Sequence, residues 1–376
     1  MLKIMFQVLG LIGDDAYADL LGLPSIAFYV GAFLFGIIGG WLSKTISPFL
    51  TSIFLLLAGI GTLVFTHSLN VEIVGLAAFT LGAGVPYCLH LIGQSDLREH
   101  QLMAVSFSTV CLITISEFFG FTIVEASIQL DTAIPDPASA NFVGFIVVGI
   151  LLLGTLQLAH VRMRDESQTR AKSNETLGYL LASFFGYILV LVVLNRYSGQ
   201  GIPNALIPQD DQAALFRVQD SYYSAFNVAA IVRAAVFVVL IFAILRYKPS
   251  VTYFTHVLPK LFILKICFSV VGYMLSSSMV YFYMMIPNFI LDLLITGGLI
   301  STILVSAWRT LEVIGQWIVY GLLAVPFLVM YTFINSASDV YFYGAIGGVV
   351  ISYSIYYLWK GNRVDLPEVL EVEEHE

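Results

Sequence analysis

The chain has 376 residues, of which 59% are hydrophobic and 11% charged, and its mean hydropathy is +0.89. A water-facing surface draws on roughly 25% charged residues, so this composition excludes an ordinary soluble domain and points to a protein solvated by lipid. The net charge of −8 owes much to the acidic tail Glu368–Glu376, which reads as a solvated terminus.

Apolar runs bounded by polar or turn residues place spans at roughly 2–14, 25–43, 49–66, 71–95, 102–126 and 141–161. A second set follows at 176–196, 221–246, 257–276, 279–305, 311–334 and 340–359. Helix is the only backbone that satisfies its own polar groups along such runs, and the alternating ten-residue pattern of a membrane barrel is absent. The expected fold class is all-α: a polytopic membrane protein of about twelve helices in two six-helix halves. The first run is short of the roughly 17 residues a span needs, and Asp14, Asp15 and Asp19 follow it directly. Two readings stay open: a short first helix with an acidic outer loop, or a helix that continues to Gly22 and buries acid. No cleavage site of small residues follows the first run, so it reads as an uncleaved insertion signal.

Basic residues mark every second loop. Lys44 follows the second span, Arg98 the fourth, and Arg162, Arg164, Arg170 and Lys172 the sixth; Arg246, Lys248 and Lys260, then Arg309, then Lys360 and Arg363 continue the series. The intervening loops hold little or none: 197–220 carries Arg217 among Asp210, Asp211 and Asp220. The positive-inside rule then places both termini in the cytoplasm, in the plasma membrane (the inner membrane in a bacterium). The basic cluster divides the chain into an N-terminal half (1–161), a cytoplasmic linker (162–176), a C-terminal half (177–360) and an acidic tail (361–376). Paired halves of this kind belong to transporters with a midplane site between repeats.

Gly39-Gly40-Trp41-Leu42-Ser43-Lys44 ends the second span, and Leu81-Gly82-Ala83-Gly84-Val85-Pro86 lies in the fourth, with Arg98 beyond it. With the 6+6 topology, these segments resemble the major facilitator superfamily, whose loop motif begins Gly-x-Leu-Ala-Asp-Arg; Ser43 stands where that motif has Asp. The resemblance implies alternating access, with Gly40, Leu42, Lys44 and Arg98 as gating residues at the cytoplasmic face.

A charge at mid-bilayer costs several kcal/mol, so polar residues inside the spans are the functional candidates. Arg233 lies near the centre of the eighth span and Asp292 at similar depth in the tenth. As a pair they either tie two helices together or line a cavity that receives an anionic group. Asn288 shares a helical face with Asp292 at i, i+4, Asn227 precedes Arg233 by two turns, and both join the candidate substrate site. Glu117, Asp292 and His90 are candidates for proton coupling, set against the plainer readings of a neutral glutamic acid and a packed histidine. Lys265 reads as a snorkelling residue, and Glu312 with Gln316 as a gate contact or an interfacial cap. Tyr222, Tyr223, Tyr281 and Tyr283 fit an interfacial aromatic belt.

Cys88, Cys111 and Cys267 are scattered in apolar runs and read as core residues, not as a disulfide framework or metal site. No phosphate-binding loop, metal-ligand spacing or nucleophile elbow appears, so neither enzyme activity nor a cofactor is expected. The basic residues follow topology and imply no nucleic acid. The expected function is secondary active transport of a small, anionic solute coupled to protons or another ion. The alternatives are an integral-membrane enzyme for lipid-linked substrates and a transporter-like sensor or assembly factor. Expected partners are the solute and the bilayer; the oligomeric state is open, and a monomer is compatible.

Overall fold

A computed structural model describes residues 15–66, 71–95, 97–109, 146, 149–150, 152–153, 175–197, 206, 212–333 and 337–361. Among the described residues the chain is α-helical, with short 3-10 stretches and no β-strand. The elements are α1 (Asp15–Leu42), α2 (Pro48–Thr66), α3 (Val71–Gly93), α4 (Glu175–Tyr197), α5 (Gln212–Tyr247) and α6 (Val251–Met274). After the 3-10 turn Met279–Met284 come α7 (Met285–Thr310), α8 (Val313–Leu322), α9 (Val325–Phe333) and α10 (Ala337–Gly361). A further helical stretch occupies 99–109. The first span, Glu117, Cys111, the linker at 162–174 and the acidic tail lie outside the described residues.

Helix ends depart from the apolar runs because lipid selects for apolarity, whereas a helix continues wherever its backbone allows. Helix α1 begins at Asp15, ten residues before the expected 25, and carries Asp15 and Asp19 in its first turns. Helix α5 has 36 residues, about 54 Å at 1.5 Å per residue, well beyond the roughly 30 Å of a hydrocarbon core. Its extra turns fall on Gln212–Asp220, expected to be loop, whose Ala, Leu, Gln and Arg are strong helix formers. The eleventh span breaks into α8 and α9 at Leu323–Ala324, where Pro326 withdraws the N–H that would bond Leu322. Between α5 and α6, Lys248 adopts a left-handed backbone (φ 49°). Ser250 then caps α6, its side chain accepting from the Tyr253 N–H at 3.3 Å.

Helices α3 and α7 are central: 72% of the Ile73–Gly93 stretch and 78% of Met279–Thr310 is buried, against 22% of Pro48–Phe65 in peripheral α2. Helix α3 packs on α1 and α2, α4 on α10, and α7 on α4, α5 and α6. Large apolar side chains on the outer faces, among them Phe54, Phe65, Val239 and Met274, are exposed, as lipid contact requires. Four described helices are long and apolar enough to cross a membrane by themselves, those around 48–65, 73–93, 253–274 and 279–310. The N-terminal helices meet the C-terminal ones along α1 with α8 and α9, and along α3 with α7 and α8.

Candidate functional site

Asp292 sits near the middle of the stretch from Met279 to Thr310 and is almost fully buried. Its Oδ1 receives two groups. The Tyr187 hydroxyl of α4 donates to it at 2.8 Å, and the Lys265 ammonium of α6 lies at 2.9 Å. Phe262, one turn before Lys265, packs edge-on against the Tyr187 ring with centroids 5.8 Å apart. Arg233 of α5 is buried and within electrostatic reach of the Tyr187 hydroxyl. Four helices thus bring an acid, two cations and a phenol to one region of the bundle.

Lys265 is deeper than its sequence position implied. Helix α6 starts at Val251 and not at 257, so Lys265 stands 14 residues in (265 − 251), about 21 Å along the axis. A lysine stem cannot span that distance, and its side chain is 0% exposed. It therefore needs a counter-charge in place. Removing one partner from a buried pair leaves an uncompensated charge and costs about 3–5 kcal/mol, although the intact pair adds little net stability. Such a cluster is a poor investment for stability alone and a serviceable one for exchanging charge: a proton on Asp292 cancels the attraction that holds Lys265.

The remaining candidates fall in three places. Asn288 is buried one turn from Asp292, and its Nδ2 donates to the Met284 carbonyl at 2.9 Å, where the 3-10 turn joins α7. Asn227 lies on α5, and its side chain is outside the described residues, as is Glu117. His90 does not reach the Asp292 cluster. It lies near the C-terminal end of α3, with its ring 4.8 Å from that of Trp317 on α8. Tyr222 and Tyr281, read as belt residues, are buried and both pack edge-on with Phe282, whereas Tyr283 is exposed.

At the C-terminal end of α1 Gly40 is buried against Trp317, and the Ser43 hydroxyl donates to the Gly40 carbonyl at 3.2 Å. Leu42 is half-buried, and Lys44 and Arg98 are exposed. A charge contact between N- and C-terminal helices is made by Glu99 and Arg309. One carboxylate oxygen of Glu99, the first residue of the helical stretch at 99–109, pairs with Arg309 at the end of α7, and the other accepts from the Val251 N–H at 2.8 Å. Burial together with Lys248 and Arg98, opposed by Glu99, holds the neighbouring His100 below the usual imidazole range. Gln316 donates to the Leu311 carbonyl at 3.0 Å and closes the α7–α8 turn. Among the described residues no group of three His, Cys, Asp or Glu is placed to hold a metal ion.

Tyr187, Lys265 and Glu99 thus enter the candidate set from the structure. Only Lys265 carried a signal in the sequence, as a cation inside an apolar run.

No family model matches the sequence, and no curated protein sequence matches it. Among solved structures, that of the major facilitator superfamily proton:xylose symporter XylE bound to 6-bromo-6-deoxy-D-glucose is similar. It is 12% identical, with a TM-score of 0.52, over 96% of this chain and 90% of that one. The chain therefore has the major facilitator fold and is an integral, multi-pass membrane protein.

Proposed function

We propose that the protein is a secondary active transporter that moves a small solute bearing an anionic group, coupled to protons. One observation carries this reading: a buried Lys265–Asp292 ion pair, shared with the Tyr187 hydroxyl, at mid-depth in a bundle of major facilitator fold. In this reading the two halves, 1–161 and 177–360, rock about that region while the linker holds them together. Asp292 carries the proton. When it is neutral, Lys265 is released to meet the solute, and Arg233, which holds its charge at any working pH, supports recognition of the anionic group. Asn288 and Asn227 complete the site, and Glu117 is a second proton carrier.

The Glu99–Arg309 pair, with Glu99 also capping α6, supports a cytoplasmic gate between the ends of α3 and α7. That the similar solved structure is a proton symporter supports coupling to protons; its sugar is not carried over. Both termini face the cytoplasm of a plasma or bacterial inner membrane on this reading, in keeping with the loop charges. Proteoliposomes with an imposed pH gradient test the proposal: Asp292→Asn abolishes gradient-driven uptake while leaving a folded, monodisperse protein. Unchanged uptake by that variant removes Asp292 from the mechanism.

A further inference from the structure

Trp317 is the largest fully buried side chain of the molecule among the described residues, and its seat is built from both ends of the chain. On one side it meets Gly39 and Gly40 of α1, where a Cβ at Gly39 would run into the six-membered ring. On the other it meets α3: Tyr87 packs edge-on at 4.9 Å and His90 lies tilted by 37° at 4.8 Å. One turn along α1, Gly36 sits against the backbone of Gly321, so the seam continues as a close helix contact. Below it the Trp308 indole N–H donates to the Tyr320 hydroxyl at 2.7 Å.

This seam is buried, and several of its polar atoms are unsatisfied within the protein. His90 is 2% exposed, and its Nδ1 has no hydrogen-bond partner among the described residues; the Tyr87 hydroxyl and the Trp317 Nε1 are in the same position. No described carboxylate or cation touches the imidazole. On α1 the nearest charge in sequence is Lys44, exposed beyond the helix end; on α8 it is Glu312, exposed at the first turn. On α7, Arg309 is held by Glu99, and Asp292 belongs to the cluster with Lys265. On α3 itself the neighbours are Tyr87 and Cys88, both uncharged, and beyond its end Arg98 is exposed and His100 half-buried.

We infer that His90 is a further proton-binding site, distinct from Asp292 and Glu117, which sets whether the α1–α8 seam around Trp317 is closed. A neutral imidazole fits between indole and phenol. An imidazolium in the same place is a buried charge without a counter-ion, which a protein avoids by admitting water or moving apart. The closed seam therefore takes up no proton at His90, and the opened one does, so acid draws the equilibrium toward opening. The direction is fixed by the environment: no carboxylate stands beside the ring to reward the charge. The inference rests on the reading that the N- and C-terminal helices move against each other, but not on any particular solute.

The test is a distance between spin labels at Thr45 and Glu312, both exposed at the cytoplasmic mouth of the seam. It uses the full chain in lipid nanodiscs, with Cys88, Cys111 and Cys267 replaced by alanine and no solute added. At pH 8 one short distance is expected. Toward pH 5.5 a longer one grows, the ratio of long to short rising by up to ~10-fold per pH unit. His90→Gln should hold the short distance at both values; should it fail to fold, the smaller His90→Asn makes the same comparison. His100→Gln, at the nearby gate, should respond like the parent. The inference is overturned by a parent protein that does not respond to pH, by a His90 variant that responds as the parent does, or by loss of the response in His100→Gln. A protein that transports nothing still gives a readable answer here, which separates this inference from the transport reading.

Discussion

Asp292, Lys265 and Tyr187 differ in how visible they were in the sequence. A carboxylate deep in an apolar run is expensive, so Asp292 stood out. Lys265 was equally costly but was placed near an interface, because the apolar run marks where lipid begins and the helix starts six residues earlier, at Val251. Tyr187 is one of 20 tyrosines, and its role follows only from how α4 packs on α7. A buried pair of this kind predicts a non-additive response. Lys265→Met alone leaves Asp292 with the Tyr187 hydroxyl but without its ammonium partner and lowers stability by up to about 3–5 kcal/mol. Lys265→Met with Asp292→Asn recovers most of that loss. Thermal unfolding of the purified variants in detergent measures it; additive losses would mean that the two side chains are not coupled.

Among the elements, the order and type of the described helices agree with the apolar runs, as do the ends of α2, α3 and α4, whereas the starts of α1, α5 and α6 and the break between α8 and α9 do not. Polar turns that extend α1 and α5 outside the lipid look like loop to a hydropathy reading, and a break at Pro326 is masked by apolar residues on both sides. The α1–α8 seam was invisible for a different reason. Gly39 and Gly40 were legible as motif residues, but nothing in their neighbourhood named Trp317, some 280 positions away, as what they make room for. Sequence patterns report what one element does to its own surroundings, and a seat for a distant side chain leaves no local mark. Gly39→Ala forces the seam apart or the indole off its rotamer, an overpacking cost of about 1–3 kcal/mol. Gly178→Ala on α4, where an added Cβ meets nothing within 4 Å, is neutral or stabilising by up to ~1 kcal/mol. Paired melting curves check this; equal shifts would show that Trp317 gives way freely.

For the whole molecule, the described contacts between N- and C-terminal helices include a charged one, where Glu99 bridges Arg309 and the first turn of α6. The pair is partly exposed, so its contribution to overall stability is small, within about 1 kcal/mol. Its leverage is on the balance between closed and open. A cysteine placed at buried Ser95, one turn before Glu99 in sequence, should react slowly with a membrane-impermeant maleimide added from the side that bears the pair. Glu99→Gln should speed that labelling severalfold, and the swap Glu99→Arg with Arg309→Glu should slow it again in part, since the reversed pair loses the cap on Val251. Equal rates in all three would remove the pair from the gate.

Transport itself is most directly tested by proton movement. Proteoliposomes carrying an internal pH dye are challenged with a panel of small carboxylates and phosphates, with neutral sugars for comparison. The account predicts that at least one anionic solute drives a proton flux in the parent protein and that Asp292→Asn abolishes it. Its contradiction would be a panel in which no solute moves protons, or a flux that Asp292→Asn leaves untouched.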